Sequence, residues 1–286
     1  MEKAEMIRNW MCTLALLTVA CGGESPDKSA ATGAETAAKP AVEKKVVKFD
    51  KSTLQAEALE IALVPSPAEM QKALNNAGLQ SQLSTMVEKR DIAMKAENKD
   101  QIAVRTGVVL ADLVLTVQDA TTEEQLARLN RLKEGFALLG AGDDVANTIE
   151  DLRGQIQGGS GSRADLLKEF DELSGVLVPE LKYEAGEWVV PLIQAGSWLE
   201  GAHLVSGAIK KEAKYEEAGK LLKQPAVVDY FLKYVQREGS DKAPDQVVKK
   251  LEETLTMLKE ITSKETIEEE DVNNIYSATG AVLTML

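Results

Sequence analysis

The sequence predicts an all-α fold, a multi-helix bundle of about nine or ten helices over residues 46–286. Three observations support this prediction. Apolar residues recur at the three- and four-residue spacing of helices, residues that favour helix starts precede these segments, and glycine-rich turns separate them. Only the short run at 46–49 has the pattern of a strand.

The helix starts are marked by capping residues. Ser66 is followed by proline and then by Glu69, which forms a capping box, and Gly78 provides a stop. Thr121 and Glu124 repeat the capping box before a second amphipathic segment. Further helices are predicted to begin near Asp143, Ser162, Glu184, Tyr215, Pro225, Pro244 and Glu265. Turns are expected at the segments GAGDD, GGSGS and REGSDKAP.

Two helices, 102–117 and 188–209, are apolar on nearly all sides, which predicts that they lie at the centre of the bundle. The second is long enough to span a bilayer. It contains Pro191, Gln194, Glu200 and His203, and a carboxylate near the middle of a bilayer costs about 2.5 to 3.5 kcal/mol. We therefore predict a buried core helix rather than a transmembrane span.

Small residues recur along both helices, so we predict that the two helices pack against each other or against close neighbours. On the first helix they are Ala103, Gly107 and Ala111, and the stripe on the second is Gly196, Glu200, His203 and Gly207. The segments RTGVVLADLVLTVQ and IQAGSWLEGAHLVSG are also alike. This likeness is consistent with a duplicated helical hairpin.

The same two helices carry the candidate site residues. Arg105 and Asp112 lie on one face of the first helix, within reach of Glu200 and His203 on the second if the helices pack together. A carboxylate in an apolar core needs a partner, so one interpretation is a buried ion-pair cluster that fixes helix register. The other is a ligand pocket, with Trp198 or Trp188 as an apolar wall.

The residue inventory argues against most catalytic and metal chemistry. His203 is the only histidine, so no metal site and no cofactor is predicted. The one G-S-G-S segment reads as a linker, because it lacks the strand-to-helix context of a nucleophile elbow or a phosphate loop. No catalytic residue is assigned, although paired carboxylates of a glycan hydrolase stay an alternative.

The N-terminus has the layout of an export signal over residues 1–20. Lys3 and Arg8 provide positive charge, and the apolar run 10–20 ends in small side chains. That run is shorter than the roughly 20 apolar residues that a membrane helix needs. Cleavage is predicted after Ala20, and residues 21–45, rich in Ala, Lys, Glu, Ser and Pro, are predicted to form a flexible tether.

Residues 17–22, Leu-Thr-Val-Ala-Cys-Gly, resemble the lipobox of bacterial lipoproteins, with threonine where leucine is usual. The resemblance implies lipid on Cys21. Cys12 would be removed with the signal, so the mature chain has no second cysteine for a disulfide. By resemblance to the sorting rule of enteric bacteria, Gly22 implies the periplasmic face of the outer membrane, with surface exposure as an alternative.

The formal net charge of -13 argues against nucleic acid as a partner and against adhesion to anionic lipid. Attachment to the membrane is therefore assigned to the lipid on Cys21.

The helix elements Gly-x-x-x-Ala-Asp at 107–112 and Gly-Ser-Trp-Leu-Glu-Gly at 196–201 resemble those of uncharacterised helical lipoproteins of Gram-negative bacteria. This resemblance implies a fold and no activity. The function that the sequence favours is a non-enzymatic envelope lipoprotein that binds a protein partner or a small apolar ligand. The alternatives are a lipid-anchored cell-wall glycan hydrolase and a structural envelope spacer.

Overall fold

A computed structural model describes residues 64–79, 82–87, 93–96, 98–159, 161–242 and 245–286. All of them belong to one compact unit, Asp50–Leu286. Within these ranges the chain forms ten helices of seven residues or more and no strand, which confirms the predicted all-α bundle. The signal 1–20, Cys21, the tether and the strand predicted at 46–49 lie outside the described residues.

The helices follow one another through short connections. In chain order they are α1 (Pro67–Asn76), α2 (Lys99–Leu115), α3 (Thr122–Leu139), α4 (Asp143–Gly158), α5 (Arg163–Glu172), α6 (Val178–Glu184), α7 (Val189–Glu212), α8 (Ala218–Leu221), α9 (Pro225–Lys242), α10 (Asp245–Thr262) and α11 (Glu269–Leu283). Two 3₁₀ turns, Leu83–Thr85 and Tyr215–Glu217, and one π-helical segment, Leu173–Leu177, complete the described structure.

The predicted capping boxes are present. The Ser66 hydroxyl accepts the backbone N–H of Glu69, and the Glu69 carboxylate accepts the backbone N–H of Ser66. Thr121 and Glu124 make the same exchange at the start of α3. Gly78 follows α1 in the left-handed conformation, at φ 66°. These local signals set the helix starts because they satisfy backbone N–H groups that have no partner inside the helix.

One predicted helix start is wrong. Glu184 ends α6 instead of beginning a helix, and its carboxylate accepts the backbone N–H of Gly142 at the start of α4, 2.6 Å away. A carboxylate that resembles a local N-cap thus caps a helix distant in sequence. The start predicted near Tyr215 is present, as a 3₁₀ turn that leads into the four-residue α8.

The turn predicted at REGSDKAP is shorter than expected, because α9 continues through it to Lys242. Gly239 lies inside the helix, where a glycine costs about 1 kcal/mol relative to alanine. A Cβ at Gly239 would lie 3.1 Å from a methyl group of Val248, so α10 packs closely over this position. Tertiary packing here outweighs the local turn signal.

The core consists of two clusters of buried apolar side chains, and α7 belongs to both. Its first turns, with Val189 and Ile193, pack in the cluster that also contains Phe136 and Phe170. Its later turns, with Trp198 and Leu204, pack in the cluster built from α1 and α8–α11. The described ranges contain no helix that is long and apolar enough to span a bilayer. The prediction that the second apolar helix is buried in the protein core is confirmed.

Candidate functional site

Helices α2 and α7 cross at a pair of glycines, which confirms the prediction that they pack together. A Cβ at Gly107 would lie 2.8 Å from the carbonyl carbon of Ile193 and 2.9 Å from the amide nitrogen of Ser197. A Cβ at Gly196 would lie 2.9 Å from the carbonyl carbon of Val104. The Ser197 hydroxyl donates a hydrogen bond to the carbonyl of Gly107 at 3.0 Å. Each backbone therefore lies directly on the other, with no space for a methyl group.

The two helices run in the same direction. Gly201 lies five residues beyond the crossing on α7, and a Cβ there would be 4.0 Å from a methyl group of Leu115, which lies eight residues beyond it on α2. In an antiparallel pair the two positions would be about 20 Å apart along the axes. The reciprocal contacts around Gly107 and Gly196 also fit the likeness of the two segments in sequence.

The predicted small-residue stripe on α7 is only partly an interface with α2. Gly196 faces α2, but a Cβ at Gly207 would lie 3.0 Å from the ring of Tyr276 on α11. His203 also faces α11. The 4-3-4 spacing keeps the stripe on one face of α7, with Gly207 within about 20° of Gly196 around the axis, so the neighbour across this face changes along the helix, from α2 at Gly196 to α11 at Gly207.

Arg105 contacts a loop rather than a carboxylate in the described contacts. Its Nη1 donates to the carbonyl of Ala93 at 2.8 Å and to that of Lys95 at 3.1 Å. Asp112 and Glu200 are both buried, and Glu200 has no exposed surface. The single cluster of Arg105, Asp112, Glu200 and His203 stays a prediction.

His203 belongs to a stacked pair with Tyr276. The two rings are 4.3 Å apart and nearly parallel, and the amino group of Lys210 lies 5.3 Å from the Tyr276 ring centre. His203 Nδ1 lies 3.1 Å from the carbonyl of Tyr276. The Thr279 hydroxyl, 3.2 Å from the same nitrogen, donates to the carbonyl of Ile275. These partners assign the proton to Nδ1, which donates to Tyr276.

Trp198 forms one wall of a cavity of about 100 Å³. Its indole N–H donates to Oε1 of Gln224 at 2.8 Å, and its ring packs against Phe231 at 5.4 Å between centres. The rest of the cavity is mainly apolar. Its inner wall is formed by Met70, Gly201, Ala202, Val205, Leu222, Val228, Leu258 and Ile275. The alternative wall, Trp188, is half-buried and packs on the other apolar cluster.

The cavity reaches the surface between α1 and α8. We use "the mouth" for the five residues at this opening: Pro65, Glu69, Ala73, Lys220 and Gln224. Glu69 and Lys220 are exposed, whereas the other three are half-buried. Lys214, in the connection between α7 and the 3₁₀ turn that precedes α8, donates its amino group to the carbonyls of Ala77 and Gly78, so this connection lies against the end of α1.

Acidic residues contact α8 and the segments on either side of it. Both carboxylate oxygens of Glu217 lie 3.0 Å from the amino group of Lys220. The Tyr215 hydroxyl donates to Glu269 at 3.2 Å. Desolvation raises the pKa of Tyr215, and the hydrogen bond to Glu269 and its negative charge raise it further. Lys223 donates to the backbone carbonyl of Glu265, so the start of α11 lies beside α8.

A metal site is absent from the part of the chain that the structure describes, since no group of three or more His, Cys, Asp or Glu side chains is placed to hold an ion. A second, shallow groove lies between α9 and α10. It contains three glutamates on one face of α10, Glu252, Glu253 and Glu260, with Gln236 on the α9 side.

Sequence reasoning found Trp198 but missed most of the cavity. Met70, Leu222, Val228, Leu258 and Ile275 come from distant parts of the chain and have the same apolar spacing as ordinary core residues. No local signal distinguishes a residue that borders a cavity from one that fills the core. Searches of protein family models, of curated proteins and of solved structures find no match to this chain.

Proposed function

We propose that this chain is an envelope lipoprotein, attached through lipid on Cys21, whose helical domain binds a partner protein without catalysing a reaction. The partner inserts one apolar side chain into the cavity beside Trp198. The observation that carries the proposal is this cavity of about 100 Å³, open at the mouth and lined mainly by apolar side chains. Protein interiors are otherwise close-packed, so an accessible apolar space of this size is a candidate binding site.

The cavity volume favours a partner side chain over a free small ligand. Small-molecule sites usually enclose about 300 to 1,000 Å³, and even benzene occupies a cavity of about 150 Å³. A volume of about 100 Å³ instead suits a single aliphatic side chain. Protein interfaces concentrate their binding energy in such anchor residues, and burying one aliphatic side chain contributes about 1.5 to 3 kcal/mol.

The carboxylates of the described grooves do not favour the hydrolase alternative. Glycan hydrolysis uses two carboxylates on opposite sides of the scissile bond, about 5 to 9.5 Å apart. Glu69 is the one carboxylate that borders the cavity, and the groove on α10 has its three glutamates on a single helix face. We therefore favour a binding function over glycan hydrolysis.

The test is photo-crosslinking in the native cell envelope. A photoreactive amino acid replaces Lys220 at the mouth, and the crosslinked product is compared with that from the same variant carrying Ala202→Leu, which fills the cavity. Ala127→Leu, on the exposed face of α3, is the matched control. We expect one discrete protein adduct that Ala202→Leu abolishes and Ala127→Leu preserves. An adduct that is insensitive to Ala202→Leu, or no protein adduct at all, would contradict the proposal.

Attachment to the membrane is tested separately. Cells that synthesise the wild-type chain in the presence of radioactive palmitate should label it and retain it in the membrane fraction. Cys21→Ser should abolish the label and release the chain from that fraction. A mature wild-type chain that carries no label would contradict the lipoprotein assignment and leave the cavity experiment unaffected.

A further inference from the structure

The charges around the mouth indicate what kind of partner segment the cavity receives. On the α1 side, Glu69 is exposed and uses one carboxylate oxygen to cap its own helix. On the α8 side, Glu216 and Glu217 precede the mouth residue Lys220 by one turn. We use "the acidic rim" for Glu69, Glu216, Glu217 and the two α11-side residues Glu265 and Glu269.

The lysines nearest to the acidic rim are already engaged with groups of this chain. Lys220 pairs with Glu217, Lys223 donates to the carbonyl of Glu265, and Lys264 pairs with Asp271. Hydrogen bonding to Asp271 is the main reason that the pKa of Lys264 is raised. The five carboxylates of the acidic rim face three amino groups, those of Lys214, Lys220 and Lys223, so the surface beside the mouth keeps a formal net charge of -2.

The charge of the whole chain points the same way. A formal net charge of -13 attracts basic partners over several ångströms and repels a second copy of the same chain. The cavity itself selects an uncharged aliphatic group, since a charged group would lose its hydration there without a paired counter-ion. The partner segment that fits this site therefore combines an aliphatic side chain, for the cavity, with positive charge, for the acidic surface around it.

We infer that the partner segment is basic, an inference that rests on the proposed function. A branched aliphatic side chain, Leu, Ile or Val, enters the cavity beside Trp198, and lysine or arginine residues on either side of it contact the acidic rim. The apolar anchor holds the complex, and the surrounding charges accelerate association and select the partner.

The test uses a phage library of random twelve-residue peptides, selected on the full-length protein purified from membranes in detergent. Each round is counter-selected on Ala202→Leu, so that only peptides that need the open cavity are retained. We expect the retained peptides to contain Leu, Ile or Val with Lys or Arg within two residues. A synthetic copy of the most enriched peptide should then bind at least about fivefold more weakly to Glu217→Lys, which corresponds to about 1 kcal/mol.

Glu134→Lys is the charge-matched control, because Glu134 is exposed on α3 and does not border the cavity. The affinity of the peptide for Glu134→Lys should stay within about twofold of wild type. Raising the salt concentration should weaken binding to wild type more than binding to Glu217→Lys.

The outcomes separate the two proposals. Retained peptides that carry aliphatic residues without basic neighbours, or that bind Glu217→Lys as tightly as wild type, would overturn the inference of a basic partner and leave the proposed function standing. A library from which no peptide survives the counter-selection on Ala202→Leu would overturn both.

Discussion

The two sides of α7 differ in how much space they leave. Toward α2, the backbone at Gly196 and Ser197 lies directly on the backbone at Gly107, and a methyl group would not fit. Toward α8–α11, the same helix leaves a cavity of about 100 Å³ beside Trp198 and Ala202. At about 24 cal/mol per Å³, such a cavity costs about 2 kcal/mol of stability. Because the same helix packs without a gap on its other side, this cost in stability is consistent with a cavity that is retained for binding.

The largest expected effect comes from adding a methyl group at the α2–α7 crossing, where no space is left for one. Gly107→Ala and Gly196→Ala should each lower the free energy of unfolding by about 2 to 3 kcal/mol, even after alanine's gain in helix propensity of about 1 kcal/mol. The new methyl group meets backbone atoms, which cannot rotate away. Urea unfolding followed by circular dichroism measures both values.

Gly154→Ala provides the matched control for these two variants. Gly154 lies inside α4, and a Cβ there would have no neighbour within 4 Å. This change should stabilise the protein by about 0.5 to 1 kcal/mol. The double variant of Gly107 and Gly196 should lose less than the sum of the single variants, because the first methyl group already separates the helices. Additive losses would show that the two glycines do not meet at one crossing.

The open side should respond in the opposite direction. Ala202→Leu adds aliphatic atoms to the wall of the cavity and should raise the free energy of unfolding by about 1 kcal/mol, while it abolishes partner binding. Ala127→Leu on exposed α3 should change stability by less than about 0.5 kcal/mol and leave binding intact. Thermal unfolding of the three proteins gives the comparison. A destabilised Ala202→Leu would mean that the cavity cannot receive a side chain.

The helices and their starts could be read from the sequence because the signals are local. The capping boxes at Ser66 and Thr121 and the left-handed Gly78 all act within one turn of the chain. The helix start predicted at Glu184 was wrong, because this carboxylate caps α4, 42 residues away in sequence. The turn predicted around Gly239 was too long, because contact with Val248 keeps α9 helical there.

The site could be predicted only in part. The composition of the two apolar helices indicated that they pack together, and the indole of Trp198 was identified as a wall. The parallel direction of α2 and α7 is shown by the contact between Gly201 and Leu115, and no pattern in the sequence indicates it. The cavity depends on the summed shapes of side chains from α1, α7, α8, α9, α10 and α11, which periodicity does not encode.

The smallest expected effect concerns the outer side of the cavity wall. Val228 and Leu258 border the cavity from α9 and α10, and the next residue on each helix, Asp229 and Lys259, forms an ion pair between these helices. Hydrogen bonds from Lys233 and Lys259 hold the pKa of Asp229 below its usual value. Its contribution to stability is therefore present at pH values above the ordinary pKa of aspartate, near 4, and is lost as the pH falls through the lower pKa of the folded state.

Asp229→Asn should consequently lower the free energy of unfolding at pH 7 by at most about 1 kcal/mol, because the pair is partly exposed to solvent. The difference from wild type should shrink as the pH falls below about 4, and it should vanish once the pH lies below the lowered pKa of Asp229 in the folded state. Urea unfolding at pH 7 and at a series of pH values below about 4 measures it. A difference that did not shrink over this series would mean that Asp229 acts through packing, and that the wall of the cavity does not depend on this ion pair.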